Sequence, residues 1–112
     1  LRREGVADAH IHFTGNVLID ALVNCLPHAT TSNTLEKLGI QTGGYVLMTM
    51  HRPANVDTKA GLQNLIRLVA DTARHCPLVW PVHPRTCATL RAYGLLNDLN
   101  ALPNVRLLEP QG

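Results

Sequence analysis

The sequence has few of the features that would place it in a specialised class of protein. Its three cysteines, Cys25, Cys76 and Cys87, have no CxxC spacing, and an odd number cannot all pair within one chain. This pattern indicates neither a disulfide framework nor a cysteine-based metal site. We expect three small core residues of a protein that works in a reducing compartment, which we take to be the cytoplasm.

Membrane and nucleic-acid partners also find little support in the sequence. No apolar run approaches the roughly 20 residues that a membrane span requires, and Leu1-Arg2-Arg3 precedes no apolar stretch of signal-peptide type. The ten Lys and Arg residues are spread along a chain of net charge +2, so no basic stripe is available for a phosphate backbone. We therefore expect no membrane and no nucleic-acid partner.

Short apolar strands alternate with helices, which predicts an α/β fold. In a chain of 112 residues, 46% hydrophobic and 16% charged, strands are predicted at 45–50, 78–82 and 105–108. Helices are predicted at about 58–75, with Asp57 as N-cap, and at about 86–96, before a turn at 100–104. Strands that are apolar at most positions are typical of a Rossmann-like parallel sheet with both faces covered.

The first 40 residues are less regular and indicate a domain junction. We predict a strand at 10–13, a helix at 17–26, a polar connection at 27–32 and a helical turn at 34–38. The predicted domains are residues 1–40, which end one Rossmann-like domain and include the junction, and residues 41–112, which begin a second. Both ends of the chain read as cut, so we expect an interior fragment.

Two consecutive strand ends each carry a histidine and an arginine. His51 and Arg52 follow the first strand, and His83 and Arg85 follow the second. In open parallel sheets, ligands bind beyond the carboxyl ends of the strands, where helix N-termini also point. Guanidinium and imidazole groups there suit a phosphate or diphosphate. The alternative is that each histidine only caps its strand and binds local backbone groups.

Four segments, in one order over nearly the whole chain, carry a family resemblance. They are Thr49-Met50-His51-Arg52 continuing to Asn55-Val56-Asp57, then Thr14-Gly15-Asn16 with Ile19-Asp20-Ala21-Leu22, Pro81-Val82-His83-Pro84-Arg85-Thr86, and Asn104-Val105-Arg106-Leu107-Leu108-Glu109-Pro110. This set resembles the non-hydrolysing UDP-N-acetylglucosamine 2-epimerases. The resemblance implies a glycosyltransferase-B arrangement of two Rossmann-like domains and a full-length homodimer.

The resemblance also implies a reaction and a set of site residues. These enzymes convert UDP-N-acetylglucosamine to UDP-N-acetylmannosamine by eliminating and re-adding UDP, a step towards cell-envelope polysaccharides, with no nicotinamide or metal cofactor. His51 matches the catalytic histidine, and Arg52 and His83 match residues that contact the UDP-sugar. Asn16 matches a loop near the interdomain cleft. Arg85 is a predicted phosphate contact on physical grounds alone.

One departure and two alternatives accompany this interpretation. The family usually has Glu where this chain has Ala54, which removes a carboxylate beside Arg52. The carboxylates expected around C2 and the loops expected to hold UDP are not in the sequence, so we expect the chain alone to be inactive. The alternatives are a hydrolysing UDP-N-acetylglucosamine 2-epimerase and a non-catalytic module that binds UDP-sugars.

A metal hydrolase is a further alternative from a different class. His10 and His12 have the His-x-His spacing by which one strand directs two imidazoles into a metal site. Such enzymes are full (β/α)₈ barrels, for which this chain is too short. Exposed polar residues on a strand edge are the simpler interpretation, and Trp80 and Tyr45, inside predicted strands, are expected in the core.

Overall fold

The computed structural model describes residues 1–110, and residues 111 and 112 of the predicted second domain lie outside the described part. Two compact units are present, Leu1–Asn33 and Thr34–Gly112. These bounds do not test the predicted division into domains at residues 1–40 and 41–112, which stays a prediction.

The first unit is helical. Two 3₁₀ turns, Arg2–Glu4 and Asp8–His10, precede helix α1, Val17–Thr30. The predicted strand at 10–13 is wrong, because His10 ends a turn whose first residue, Asp8, accepts a 2.6 Å hydrogen bond from Arg2 Nε. No described residue of this unit is buried, and Cys25, predicted in the core, is exposed.

Helix α1 runs further than the sequence pattern indicated. The predicted polar connection at 27–32 is wrong because α1 passes through Pro27 to Thr30. Pro27 lies in the final turn, where its missing N–H removes only one helical hydrogen bond. The hydroxyl of Thr30 donates to the Pro27 carbonyl at 2.8 Å, which satisfies one of the carbonyls that the helix end leaves unpaired.

The second unit contains a parallel α/β sheet with its helices. After α2 (Thr34–Leu38), the order is β1 (Val46–Leu47), α3 (Pro53–Val56), α4 (Lys59–Ala73), β2 (Leu78–Pro81), α5 (Pro84–Ala92), α6 (Leu96–Asn100) and β3 (Val105–Leu108). The strands lie in the order β1-β2-β3 and are all parallel. The predicted α/β class and its three strands are therefore confirmed, as is the helical turn at 34–38.

Strand β1 is shorter than the predicted 45–50 for a reason that lies in its neighbour. The Met48 amide donates to the Val79 carbonyl at 2.9 Å, in continuation of the ladder. The reciprocal bond to the Met48 carbonyl would come from the amide of residue 81, which is Pro81 and has no N–H. Pairing therefore stops at Leu47, which pairs with Val79.

One apolar core lies between the sheet and its helices. Alternate residues of β2 and the loop after it, Leu78, Trp80 and Val82, pack in one cluster with Leu62 and Leu65 of α4. Other members of the cluster come from α3, α4, α5 and α6 and the loop before α6: Val56, Val69, Leu90, Leu95 and Leu99. Trp80 is fully buried, as predicted, whereas Tyr45 is only half-buried. Cys76 and Cys87 are half-buried and unpaired.

Two helix boundaries differ from the prediction. The predicted helix at 86–96 is two helices, because Gly94 (φ 69°) ends α5 in a left-handed conformation. The Gly94 amide bonds the Arg91 carbonyl and the Leu95 amide bonds the Leu90 carbonyl, at 3.0 and 2.8 Å. This pair of bonds is the Schellman motif, in which a residue without a β-carbon is favoured at the left-handed position.

The start of α4 also differs. Its N-cap is Thr58, whose Oγ1 accepts from the Gly61 amide at 3.1 Å, and the prediction of Asp57 as N-cap is wrong. Asp57 instead ends α3, a one-turn helix that the sequence did not predict. The side chain of Asp57 is thereby available for another partner.

Candidate functional site

The carboxyl ends of β1 and β2 bring both predicted histidines into one cleft. It has a volume of about 310 Å³ and is lined by His51, Val56, Asp57, His83, Arg85 and Thr86. We call it the histidine cleft. Because β1 and β2 are adjacent and parallel, the residues that follow them must emerge side by side. The predicted grouping of His51, His83 and Arg85 is therefore what this topology produces.

The local sequence holds His83 at the start of α5. The His83 Nδ1 accepts a hydrogen bond from the Arg85 amide at 3.2 Å, and Pro84 occupies the first helical position, where no N–H is required. Since Nδ1 is an acceptor, the proton of the neutral ring lies on Nε2. His83 can therefore present one N–H donor to a ligand while its ring stays oriented by the helix.

Arg85 makes contact across the cleft. Its Nη2 donates to Asp57 Oδ2 at 2.7 Å, which joins the end of α3 to the first turn of α5 over 28 positions of sequence. The Arg85 side chain is 66% exposed and that of Asp57 is 29% exposed. An exposed guanidinium has five N–H donors in a planar fork, so one carboxylate contact leaves others for an anion.

The remaining predicted site residues lie elsewhere. Arg52 is exposed, is the N-cap residue of α3 and is not among the residues that line the histidine cleft. Asn16 belongs to the first unit, where its Oδ1 caps α1 by accepting from the Leu18 amide at 3.0 Å. Capping α1 is therefore a structural role that by itself accounts for Asn16 at this position.

Sequence reasoning missed Asp57 as a member of the site. The signal was a carboxylate close after the strand-end histidine, which we interpreted as a helix cap. The two histidines also line a second cleft of about 250 Å³ with Thr49, Met50, Pro81 and Pro110. The histidine pair therefore lies between two concave surfaces at the same end of the sheet.

The metal alternative lacks the geometry that it requires. His10 ends a 3₁₀ turn and His12 follows it in irregular chain, so no strand alternates the two imidazoles. Within residues 1–110, no group of three or more His, Cys, Asp or Glu side chains is placed to hold a metal ion. In the same residues, no helix has the length and apolar character needed to cross a membrane.

Comparison with known proteins yields one consistent family. A family model described as UDP-N-acetylglucosamine 2-epimerase matches residues 1–112. A UDP-N-acetylglucosamine 2-epimerase homolog and a UDP-N-acetylglucosamine 2-epimerase, both of Methanococcus maripaludis, are 33% and 30% identical. These alignments cover 100% and 98% of this chain and 31% of each relative, so the chain spans about a third of the length of the relatives.

A solved structure is similar over nearly the whole chain. The UDP-GlcNAc 2-epimerase of Methanocaldococcus jannaschii, in complex with UDP-GlcNAc and UDP, has a TM-score of 0.79 and 27% identity. The alignment covers 99% of this chain and 32% of that one. The predicted fold class, a part of a glycosyltransferase-B-type arrangement, is confirmed by this similarity.

Proposed function

The chain belongs to the UDP-N-acetylglucosamine 2-epimerase family, and we propose that it forms part of an enzyme that interconverts UDP-N-acetylglucosamine and UDP-N-acetylmannosamine. The reaction would proceed by elimination and re-addition of UDP. The observation that carries the proposal is the convergence of His51, His83 and Arg85 on one cleft at the carboxyl ends of two parallel strands.

The chemistry of the leaving group explains why this cleft suits the reaction. When the bond between C1 and the UDP oxygen breaks, negative charge develops on the diphosphate. Donors already fixed in position stabilise that charge without reorganising. Arg85 and the Nε2–H of His83 are such donors.

We assign His51 the acid–base role. His51 lines the same cleft as these donors. An imidazole there could give a proton to the departing phosphate oxygen and take it back on re-addition. Removal of the C2 proton then falls to a carboxylate elsewhere in the enzyme. Arg52 and Asn16 are proposed as secondary contacts to the UDP-sugar, supported by the family resemblance alone.

The domain and assembly predictions belong to the same proposal. Residues 1–40 would end an N-terminal Rossmann-like domain, and residues 41–112 would begin the UDP-binding domain of a cytoplasmic homodimer in cell-envelope polysaccharide synthesis. A homodimer would elute with twice the protomer mass in size-exclusion chromatography with light scattering.

The test follows UDP-N-acetylglucosamine by proton NMR in deuterated water with the complete gene product that contains this chain. Deuterium at C2 together with UDP-N-acetylmannosamine is the expected result. Accumulating UDP and free N-acetylmannosamine would replace the proposal with the hydrolysing reaction, and binding of UDP without turnover would reduce it to a UDP-sugar-binding module.

Variants of the same protein test the assigned residues. His51→Ala should lower the epimerisation rate by about 10²–10⁴, as expected for a group that transfers a proton and stabilises charge. His75→Ala is the matched control, because His75 lies between α4 and β2, at the entry to the strand and not its exit. Equal rates for the two variants would remove His51 from the mechanism.

A further inference from the structure

Asp57 is a carboxylate in a cleft whose other polar members suit an anion. Among the six residues that line the histidine cleft, Asp57 alone carries a negative charge. A carboxylate at this position repels a diphosphate, so its presence calls for a compensating role. The contact that it makes is the 2.7 Å bond from Arg85 Nη2.

The bond restricts a side chain that would otherwise be mobile. The Arg85 side chain is 66% exposed, and a long exposed side chain loses rotamer freedom when a ligand immobilises it, which weakens binding. Asp57 is the less exposed partner, at 29%, and ends α3, which gives it a fixed backbone position. A carboxylate held in this way restricts the guanidinium before the ligand arrives.

Arg85 is also tied through its backbone. The amide of Arg85 orients the His83 ring, and its carbonyl accepts from Thr89 Oγ1 at 2.9 Å within α5. The backbone of Arg85 is therefore positioned by α5, and its side chain by Asp57 at the end of α3. Only the second of these contacts depends on Asp57.

We propose that Asp57 is a positioning residue that holds the Arg85 guanidinium at the histidine cleft for the diphosphate of the ligand. This inference rests on the proposed function, in which a UDP-sugar binds in the cleft. Asp57 acts through Arg85 and need not touch the ligand.

Two substitutions separate positioning from charge. Asp57→Asn keeps an oxygen that can accept from Arg85 but removes the charge that repels the diphosphate. Asp57→Ala removes both. If Asp57 positions Arg85, Asp57→Ala should bind UDP about two- to tenfold more weakly than the unmodified protein. Asp57→Asn should bind UDP about as tightly as the unmodified protein.

The experiment is calorimetric titration of UDP into the complete gene product at one fixed ionic strength, since exposed charge pairs are screened by salt. Arg85→Ala should bind UDP about 10- to 100-fold more weakly. In the Arg85→Ala background, Asp57→Ala should not weaken binding further and should strengthen it slightly, because the partner of Asp57 is gone and only its repulsion of the diphosphate is left. Asp71→Ala is the matched control, since Asp71 also pairs with an arginine, Arg74, but near the end of α4.

Several results would overturn the proposal. Equal weakening by Asp57→Ala with and without Arg85 would indicate a general structural role. Tighter binding by both Asp57→Ala and Asp57→Asn would mean that the carboxylate opposes the anion. Unchanged binding by Asp57→Ala would mean that Arg85 needs no positioning. Failure of the unmodified protein to bind UDP would overturn the proposed function together with this inference, and is distinguishable from the other three results.

Discussion

Gly61 provides a test in which two physical effects predict opposite signs. It lies in the first turn of α4, where a β-carbon would be 2.8 Å from the Asn55 carbonyl oxygen and 2.9 Å from that of Ala54. Both oxygens belong to the backbone of α3 and cannot rotate away. The absence of a side chain at Gly61 therefore allows α3 to pack against the start of α4.

The net effect of Gly61→Ala follows from the two magnitudes. Alanine is favoured over glycine in a helix interior by about 1 kcal/mol. Overpacking against a fixed backbone costs about 1–3 kcal/mol. We expect the steric term to prevail, so that the free energy of unfolding falls by about 1 kcal/mol, which lowers Tm by roughly 4–8 °C in a domain of this size.

The assay is thermal unfolding followed by circular dichroism, with Gly44→Ala as the control. A β-carbon at Gly44 would lie 3.5 Å from its nearest neighbour, the Gln41 carbonyl oxygen, which is an ordinary contact. Gly44→Ala should leave Tm unchanged or raise it slightly. A higher Tm for Gly61→Ala would refute the reasoning, because it would mean that α3 moves away at little cost.

Three further predictions concern the stability of the second unit and are measured by urea unfolding with circular dichroism. Thr58→Ala should lower the free energy of unfolding by about 1 kcal/mol, because the hydroxyl that caps α4 is lost. An unchanged free energy of unfolding would mean that another group caps the helix. Trp80→Phe should lower the free energy of unfolding by less than about 1.5 kcal/mol, because the buried indole N–H has no partner among the described residues and its removal offsets part of the lost packing. A decrease above about 3 kcal/mol would imply that the indole N–H does have a hydrogen-bond partner. Leu62→Ala should lower the free energy of unfolding by about 2–5 kcal/mol and Leu68→Ala by less than about 1 kcal/mol, because Leu62 is fully buried and Leu68 is 54% exposed. Equal decreases for the two variants would contradict the position of the core.

The strands and the histidine pair were predictable because they depend on local pattern and on one rule of topology. Short apolar runs between turn residues predicted β2 and β3, and His51 and His83 follow consecutive strands. Parallel pairing of consecutive strands then aligns their carboxyl ends. No long-range contact had to be known for this result.

The Asp57–Arg85 contact was not predictable from the same patterns. It requires the chain after His51 to form the one-turn helix α3, a segment that the sequence indicated only as part of a loop from His51 to Asp57. Asp57 and Thr58 are adjacent and both can cap a helix. The packing of α3 on α4 at Gly61 brings Thr58 to the cap and leaves Asp57 for Arg85.

The errors in the first unit have a local cause. The alternation of His10, Ile11, His12 and Phe13 is a strand pattern, but a strand also needs a partner to pair with. Among the described residues of this unit there is no other strand to pair with, and His10 ends a 3₁₀ turn. The end of α1 was also mispredicted for a local reason. Pro27 was interpreted as the end of the helix, but a proline in the last turn removes only one hydrogen bond and α1 continues to Thr30.

The structure also changes the interpretation of Ala54, the position at which the family resemblance implied Glu. Ala54 lines a different groove from the histidine cleft, together with Met50, Asn55, Gly61, Asn64, Leu65 and Leu68. Its backbone carbonyl is one of the two oxygens that face Gly61. The missing carboxylate is therefore lost from the side of α3 that packs on α4. The negative charge beside Arg85 comes from Asp57, three residues later, and the histidine cleft retains its polar members despite Ala54.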